Sequence, residues 1–494
     1  MARDGGLRPV ELEEHDGDPG PPSTPPHDGD DPPEGRTGRP GTRRGARRSA
    51  VLVGAAVVAA LLVLGGVQVV LDRRAAAVDA RIAALPGASV DVGTALTALW
   101  EVPPDVLWYP MLTRGTVAIG PAVLDDGAHG VAARDLRTGR VAWSVPIGPP
   151  VETQVDGWTG SLTCAPPPAR LADPNHVPDV LVCHTTDVRP DAPGTAPGAE
   201  SWSRVVAVDL RTHTVRSSVD VARAPAAAVL GDVVALGRLD GGRHVEVVAV
   251  DTATGAERWR YRDPQPLPAY ADDSSSVSLG GAGDHVLVFG ASGESYALAG
   301  DGTRIDGFRA DLGWIDAGWL AVPADDGTRR VLRPGEPDLV VQGALARRTL
   351  DDGSAPGLEV STTGSRTWGW DAKTGEQRWE SEVDASSPSE QTVVVAEGRV
   401  HTTATSGVRT LDARTGALLW SYDLPAGVVR TGVMCDGPHV SVVSSTEDEL
   451  ALVVLDRRTG ELVRTIPLPG HVEWAYPLGP YVLAASGDRA TVLG

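Results

Sequence analysis

The sequence predicts an all-β fold of small antiparallel sheets stacked about an axis, behind one N-terminal helix. A recurring phrase, the β-branched runs that flank it and a charge-free stretch near the N-terminus carry that reading. Ala-Arg-Asp-Leu-Arg-Thr-Gly-Arg-Val-Ala-Trp ends at Trp143, and Ala-Val-Asp-Thr-Ala-Thr-Gly-Ala-Glu-Arg-Trp ends at Trp259. Gly-Trp-Asp-Ala-Lys-Thr-Gly-Glu-Gln-Arg-Trp ends at Trp379, and Thr-Leu-Asp-Ala-Arg-Thr-Gly-Ala-Leu-Leu-Trp ends at Trp420. Asp135, Asp251, Asp371 and Asp412 each precede their Trp by eight residues, and weaker copies run through Asp209 and Asp456. A unit returning at intervals of roughly 40 to 50 residues is the mark of a stacked repeat architecture.

From the N-terminus, residues 1–48 are rich in Pro, Gly, Asp and Glu and poor in aromatic and β-branched side chains. Such a segment buries too little apolar surface to offset its ordering entropy and is expected to be a disordered cytoplasmic tail. His15–Asp18 and His27–Asp30 repeat His-Asp-Gly-Asp within it, read as solvated acidic tail rather than a metal or partner site. Residues 49–71 are expected to form a transmembrane helix. Ala50–Leu71 carries no charge and one polar side chain, Gln68, and would span roughly 30 Å as a helix. Six arginines from Arg36 to Arg48 precede the span, whereas Arg73, Arg74 and Arg81 follow it. The heavier basic flank is expected inside, which places everything after the span outside the cytoplasm of a cell membrane. A cleaved signal peptide is the rival reading, but the tail before the apolar core is far too long for an n-region. Residues 72–90 read as a juxtamembrane linker that continues the helix until Pro86-Gly87 stops it.

Residues 91–494 carry the repeats. Runs such as Arg204–Val208 and His244–Val250 have the β-branched content of half-buried strands, and each leads into Asp-x-x-Thr-Gly or a relic of it. Asp accepts hydrogen bonds from the backbone two residues on, and Gly takes the positive φ of a tight, bulged hairpin. The next strand presents Trp at one fixed place, suited to packing between neighbouring sheets. Sheets that cannot bury both faces alone become the blades of a β-propeller when ringed about an axis. Turns at Asp135, Asp209, Asp251, Asp301, Asp371, Asp412 and Asp456, with a degenerate sheet suspected in 318–341, lead to an expectation of eight blades, with seven as the alternative. The last two strands, Tyr481–Ala485 and Arg489–Leu493, lack a following Thr-Gly-x-x-x-Trp. Gly93–Trp100 supplies a matching piece, so the N-terminal strand is expected to complete the last blade and remove its exposed edges.

Ala-x-Asp-x-x-x-Gly-x-x-x-Trp resembles the tryptophan-docking motif of the pyrroloquinoline-quinone-type (PQQ-like) propeller repeats, over about four fifths of the chain. The resemblance implies a PQQ-like β-propeller. Enzymes of that family hold a quinone near the axis with a disulfide between adjacent cysteines, a Ca²⁺ bound through Glu and Asn oxygens, and a catalytic Asp. This sequence has no adjacent cysteines, and its one asparagine, Asn175, lies in a Pro-rich insertion. The leading expectation is therefore the non-enzymatic branch: a binding or scaffolding module in the cell envelope, with no cofactor. The alternatives are a quinone-dependent dehydrogenase and a ligand sensor.

No other chemistry gathers. The histidines show no His-x-x-x-His spacing, and there is no Gly-x-Ser-x-Gly elbow or Walker-type loop. No catalytic, cofactor-binding or metal-binding residue is named. Asp135, Asp251, Asp371 and Asp412 are read as structural turn residues, and Trp143, Trp259, Trp379 and Trp420 as structural docking residues. Trp158, Trp202, Trp314, Trp319, Trp368, Trp370 and Trp474 fall outside that register and are candidates for a contact surface, with core packing the default. Cys164 and Cys183 flank the Pro-rich insertion and read as a disulfide, with two buried thiols as the other reading, while Cys435 is expected in the core. From residue 91 on there are 53 acidic against 33 basic residues, a charge that repels nucleic acid. The expected partner is an envelope or membrane protein or a peptide.

Overall fold

The computed structural model describes residues 43–494 except 92, 94, 103–111, 151–160, 166–177, 188–201, 268–276, 290–294, 306, 307, 309–314, 317, 318, 334, 335, 384–391, 405, 425–427, 430, 446–448, 471 and 488. Residues 43–61, 161, 315 and 316 are described by backbone only. The chain forms two units, divided between Val70 and Leu71. A helix spans Arg43–Ala83, and Gly87 takes a φ of 87° in the turn that follows. Among the described residues no helix is long and apolar enough to cross a membrane. The expected 49–71 span is helical in its backbone, with side chains described from Leu62 on, while residues 1–42 of the tail, with its two His-Asp-Gly-Asp copies, lie outside the described residues.

After the helix the described chain is all-β, in nine sheets. In order they occupy 112–150, 161–220, 226–262, 278–305, 315–342, 344–381, 392–423, 428–467 and 474–493. Consecutive strands pair antiparallel, and the fourth strand of a sheet alternates exposed and half-buried positions, as Glu257–Arg262 and Leu418–Asp423 do. Nine apolar clusters fill the spaces between sheets, one to each junction. Val131 and Cys183 join the first sheet to the second, Trp368 and Leu339 the sixth to the fifth, and Leu136 and Tyr481 the first to the ninth. The junctions therefore follow one another round a closed ring, a β-propeller.

The ring closes through the chain's two ends. Ala98–Val102 pairs antiparallel with Arg489–Leu493 and becomes the fourth strand of the ninth sheet. Nine blades correct the expected eight, and the alternative seven, for a physical reason. That expectation counted seven turns and the suspected 318–341 sheet, and did not count the closing sheet as a blade of its own; neither of the last two carries the Asp-x-x-Thr-Gly turn. The fifth sheet, within the stretch 315–342, replaces Asp-x-x-Thr-Gly with Arg333-Pro-Gly-Glu-Pro-Asp338, where Arg333 donates to the carbonyls of Pro337 and Ala372, each at 2.7 Å. The ninth is built from both termini of the ring.

One strand breaks the pattern. Arg347–Asp351 leaves the sixth sheet and pairs parallel with Thr392–Ala396, adding a fifth strand on the inner side of the seventh.

Candidate functional site: docking turns, inner strand and helix latch

The repeated Asp side chains are taken up locally. Asp135 Oδ1 accepts from the N–H groups of Arg137 and Thr138 and from the Thr138 hydroxyl, at 2.8–3.0 Å. Asp251 and Asp412 repeat all three bonds, and Asp371 repeats the two from the backbone. Hydrogen bonds of this kind hold these carboxyls below the ordinary carboxylate value, led by the Thr138 hydroxyl at Asp135 and by Arg258 at Asp251.

The Trp side chains link each sheet to the next. Trp379 lies over Gly416 and donates from Nε1 to the Ala413 carbonyl at 2.9 Å; Trp420 lies over Gly460 and reaches the Arg457 carbonyl at 3.2 Å. Trp259 covers Gly302, but its buried Nε1 has no partner. Trp143 stacks on His213, which stands where the other copies have glycine and takes a φ of 57°. Trp100 makes the same contact across the closure, over Gly139 and onto the Leu136 carbonyl at 2.8 Å. Where the phrase has decayed the bond survives on another side chain. Ser217, eight residues after Asp209, donates to the Thr252 carbonyl at 3.1 Å, and Arg333 serves the fifth sheet as above.

Cys164 and Cys183 are ladder partners in the second sheet, joined by a disulfide with Cα atoms 4.0 Å apart. Cys435 is buried, and burial pushes its thiol up to about 12. Of the tryptophans outside the register, Trp368 and Trp370 are buried between the fifth and sixth sheets, and Trp319 packs against them. Trp202 meets His129 edge-on. Trp474 is 40 % exposed and stacks on Tyr476. Trp158, Trp314 and Asn175 lie outside the described residues.

Polar groups that the repeats do not use gather in two places. On the inner strand of the seventh sheet, Arg348 pairs with Asp351 at 2.7 Å and with Glu359 at 2.5 Å. Burial raises the Glu359 carboxyl, and Arg348 partly offsets that rise. Its neighbour Arg347 is exposed, yet the surrounding protein lowers its guanidinium pKa. Among the described residues its side chain makes no hydrogen bond or ion pair. Beside it in the ladder stands Thr392, whose buried hydroxyl has no partner. An exposed arginine suits an anionic or peptide group. It does not suit a quinone held on Ca²⁺, which needs convergent anionic and carbonyl oxygens.

The second place is a latch. Asp79, in the last turns of the helix, accepts from Arg457 at 2.9 Å and from Arg458 at 2.6 Å, and Glu397 pairs with both arginines. Burial alone would raise the Asp79 carboxyl, but the bonds from Arg458 and Arg457 outweigh it and hold it low. Arg457 is fully buried, and Ile82 one turn on enters the core between the seventh and eighth sheets. The sequence reading missed this latch, since no local pattern joins residue 79 to residue 457.

A family profile described as outer membrane protein assembly factor BamB matches residues 352–484, from within the sixth sheet to within the ninth. Over that stretch the chain resembles PQQ-like β-propeller repeats. Solved structures similar to this propeller include BamB from Moraxella catarrhalis, at 17 % identity and TM-score 0.36, covering 81 % of this chain and 99 % of that one. A europium-containing methanol dehydrogenase follows at 13 % identity and TM-score 0.34, covering 80 % and 85 %. A quinohemoprotein alcohol dehydrogenase from Pseudomonas putida HK5 stands at 14 % identity and TM-score 0.29, covering 73 % and 72 %. Overlays at such scores carry no argument about activity. No curated protein matches the sequence.

Proposed function

We propose that this chain is a single-pass membrane protein whose extracytoplasmic PQQ-like propeller is a binding or scaffolding module for a protein or peptide in the cell envelope. The observation that carries the reading is the use of the repeats. Their recurring Asp and Trp side chains are engaged in turns and between sheets, so the chemistry-bearing residues of the phrase build a rigid ring rather than a catalytic centre. A rigid ring with an exposed arginine on its inner strand is suited to gripping a chain segment without chemistry. The match of 352–484 to an assembly-factor profile supports a protein partner. The uncharged run Ala50–Leu71, with the heavier arginine flank before it, supports the anchor and its orientation.

Cross-linking of the full chain in membranes, followed by affinity capture and mass spectrometry, tests the reading. One envelope protein recovered reproducibly, and at least fivefold less with Arg347→Glu, is the expected result. Co-purification of a quinone with dye-reducing turnover on alcohols or sugars would favour the dehydrogenase instead. Protease protection that leaves the propeller shielded in the cytoplasm would overturn the orientation.

A further inference from the structure

The innermost strands of the ring differ in chemistry from sheet to sheet. Ala226–Val229, the first strand of the third sheet, contacts the first strands of the second and fourth, Ser161–Ala165 and Ser278–Ala282, as strands nearest the axis do. Strands alternate in direction within each sheet, so every first strand runs the same way, and its first residue lies on the face where one sheet hands the chain to the next. Arg347–Asp351, parallel to Thr392–Ala396, keeps that direction. At these positions Leu112 and Ala226 are half-buried, Ser278 is small and Ala344 is buried. The last three sheets are different. Arg347 is exposed on the seventh, Val428 is 42 % exposed on the eighth, and Trp474 is 40 % exposed on the ninth. The other exposed Val and Leu side chains described in the ring, such as Val141, Val215 and Val340, stand on outer strands. An arginine, a valine and a tryptophan therefore follow one another along one inner arc.

The chain that leads into the ring takes up the opposite face at the same sheets. Ser89 donates to the Cys435 carbonyl and Val90 to the Pro480 carbonyl, both at 2.8 Å. Cys435 and Val428 stand at opposite ends of the strand they share, and Pro480 lies in the turn beyond the far end of Trp474–Leu478. The arc is thus on the face away from that segment. Its chemistry selects an occupant. Arg348 takes the carboxylates of Asp351 and Glu359, and its neighbour Arg347 is left to an acidic group from outside the ring. Val428 and Trp474 suit apolar side chains, and Trp474 is stacked on Tyr476 with the rings 3° from parallel. Nucleic acid is repelled by a ring with 53 acidic against 33 basic residues, and a small free anion would use Arg347 alone. Spacing adds a conformation. Neighbouring sheets pack about 10 Å apart. A polyproline-II segment returns every third side chain to the same side after about 9 Å, so its positions i, i+3 and i+6 meet three successive sheets.

We propose that Arg347, Val428 and Trp474 hold a polyproline-II segment of a partner protein. Its Asp or Glu pairs with Arg347, an aliphatic residue three positions away packs on Val428, and a Pro or aromatic residue six positions away stacks on Trp474. A segment already extended before binding loses little entropy in docking, which suits a surface with one charge and two apolar contacts. The proposal rests on the protein- or peptide-binding reading above and names the chemistry of the bound segment; the experiment separates the two.

The full chain in detergent is used to select from a phage-displayed library of random dodecapeptides, and the enriched peptides are synthesised with a fluorophore for anisotropy titration. Enriched sequences are expected to carry Asp or Glu three positions from an aliphatic residue and six from Pro or an aromatic residue. Arg347→Glu and Trp474→Ser are each expected to weaken these peptides about tenfold, the loss of one charged or one stacked contact. Val340→Ser, on an outer strand, should leave the affinity unchanged, and equal melting temperatures for the three variants show that the ring is intact. Peptides that bind but lack the spacing, or that ignore both inner-strand substitutions, overturn the arc and leave the binding reading standing. No enrichment, while the cross-linking above still recovers an envelope protein, also overturns the arc alone. Failure of both selection and cross-linking overturns the arc and the binding reading together.

Discussion

At the residue scale, docking tryptophans in equivalent positions are not equivalent in energy. Trp379 is buried and its Nε1 is bonded to the Ala413 carbonyl, whereas the buried Nε1 of Trp259 has no partner. Trp379→Phe should therefore cost about 1 kcal/mol more than Trp259→Phe, the net value of one hydrogen bond. Trp379→Ala should cost about 3–5 kcal/mol. Denaturant titration of each variant reads the differences, and equal costs for the two Phe variants would show that the bond to Ala413 contributes nothing. Buried imidazoles give the ring a pH dependence. His184 and His401 are pushed down to about 4 and about 3, in both cases first by burial, with the charges of Arg457 and Arg399 adding at His401. Unfolded imidazoles take up protons near pH 6.5, which the folded forms refuse. Stability is thus fully present above pH 6.5 and falls as pH drops toward 4, by up to about 1.4 kcal/mol per pH unit for each imidazole. Melting temperatures at pH 7.5, 6 and 5 should decline, and a His184→Gln/His401→Gln variant should flatten the decline.

At the element scale, the hairpin turn answers two demands at once: a left-handed residue and room for the neighbour's indole. Gly460 has a φ of 75°, and an added Cβ would meet Trp420 at 2.5 Å; Gly353 has a φ of 77° and open space. Gly353→Ala isolates the backbone strain, about 1–2 kcal/mol. Gly460→Ala adds an overpacking cost of about 1–3 kcal/mol. Should the two substitutions prove equally costly by chemical denaturation, the indole is not seated on the turn as described. The turn itself was legible in the sequence, because Asp, Thr and Gly act on backbone atoms two to four residues away. Its substitutes were not. Ser217 and Arg333 perform the tryptophan's hydrogen bond without resembling it, and a pattern reader has no reason to equate the three.

At the scale of the whole molecule, closure makes the two ends of the propeller one sheet. Trp100 carries the ninth sheet onto the first through the Leu136 carbonyl, and Leu136 belongs to the cluster that joins them. Trp100→Ala should therefore raise amide hydrogen exchange in both 112–150 and 474–493, nearly the full length of the ring apart in sequence. Faster exchange confined to 474–493 would mean that the ninth sheet closes without docking on the first.

The sequence by itself determined the repeat, the bulged hairpins, the docking tryptophans and the N-terminal strand that completes the last sheet. Each rests on contacts between near neighbours or on a phrase that recurs often enough to be recognised. Only the tertiary structure decided that the sheets number nine and that Arg347–Asp351 lines the inner side of a sheet it does not begin in. It also decided that Asp79 is locked to Arg457 and Arg458. Those features pair residues from 39 to 379 positions apart, as Arg333 with Ala372 and Asp79 with Arg458 do. Their energy comes from burial and geometry that exist once the ring has closed, so no local stretch of the chain encodes them.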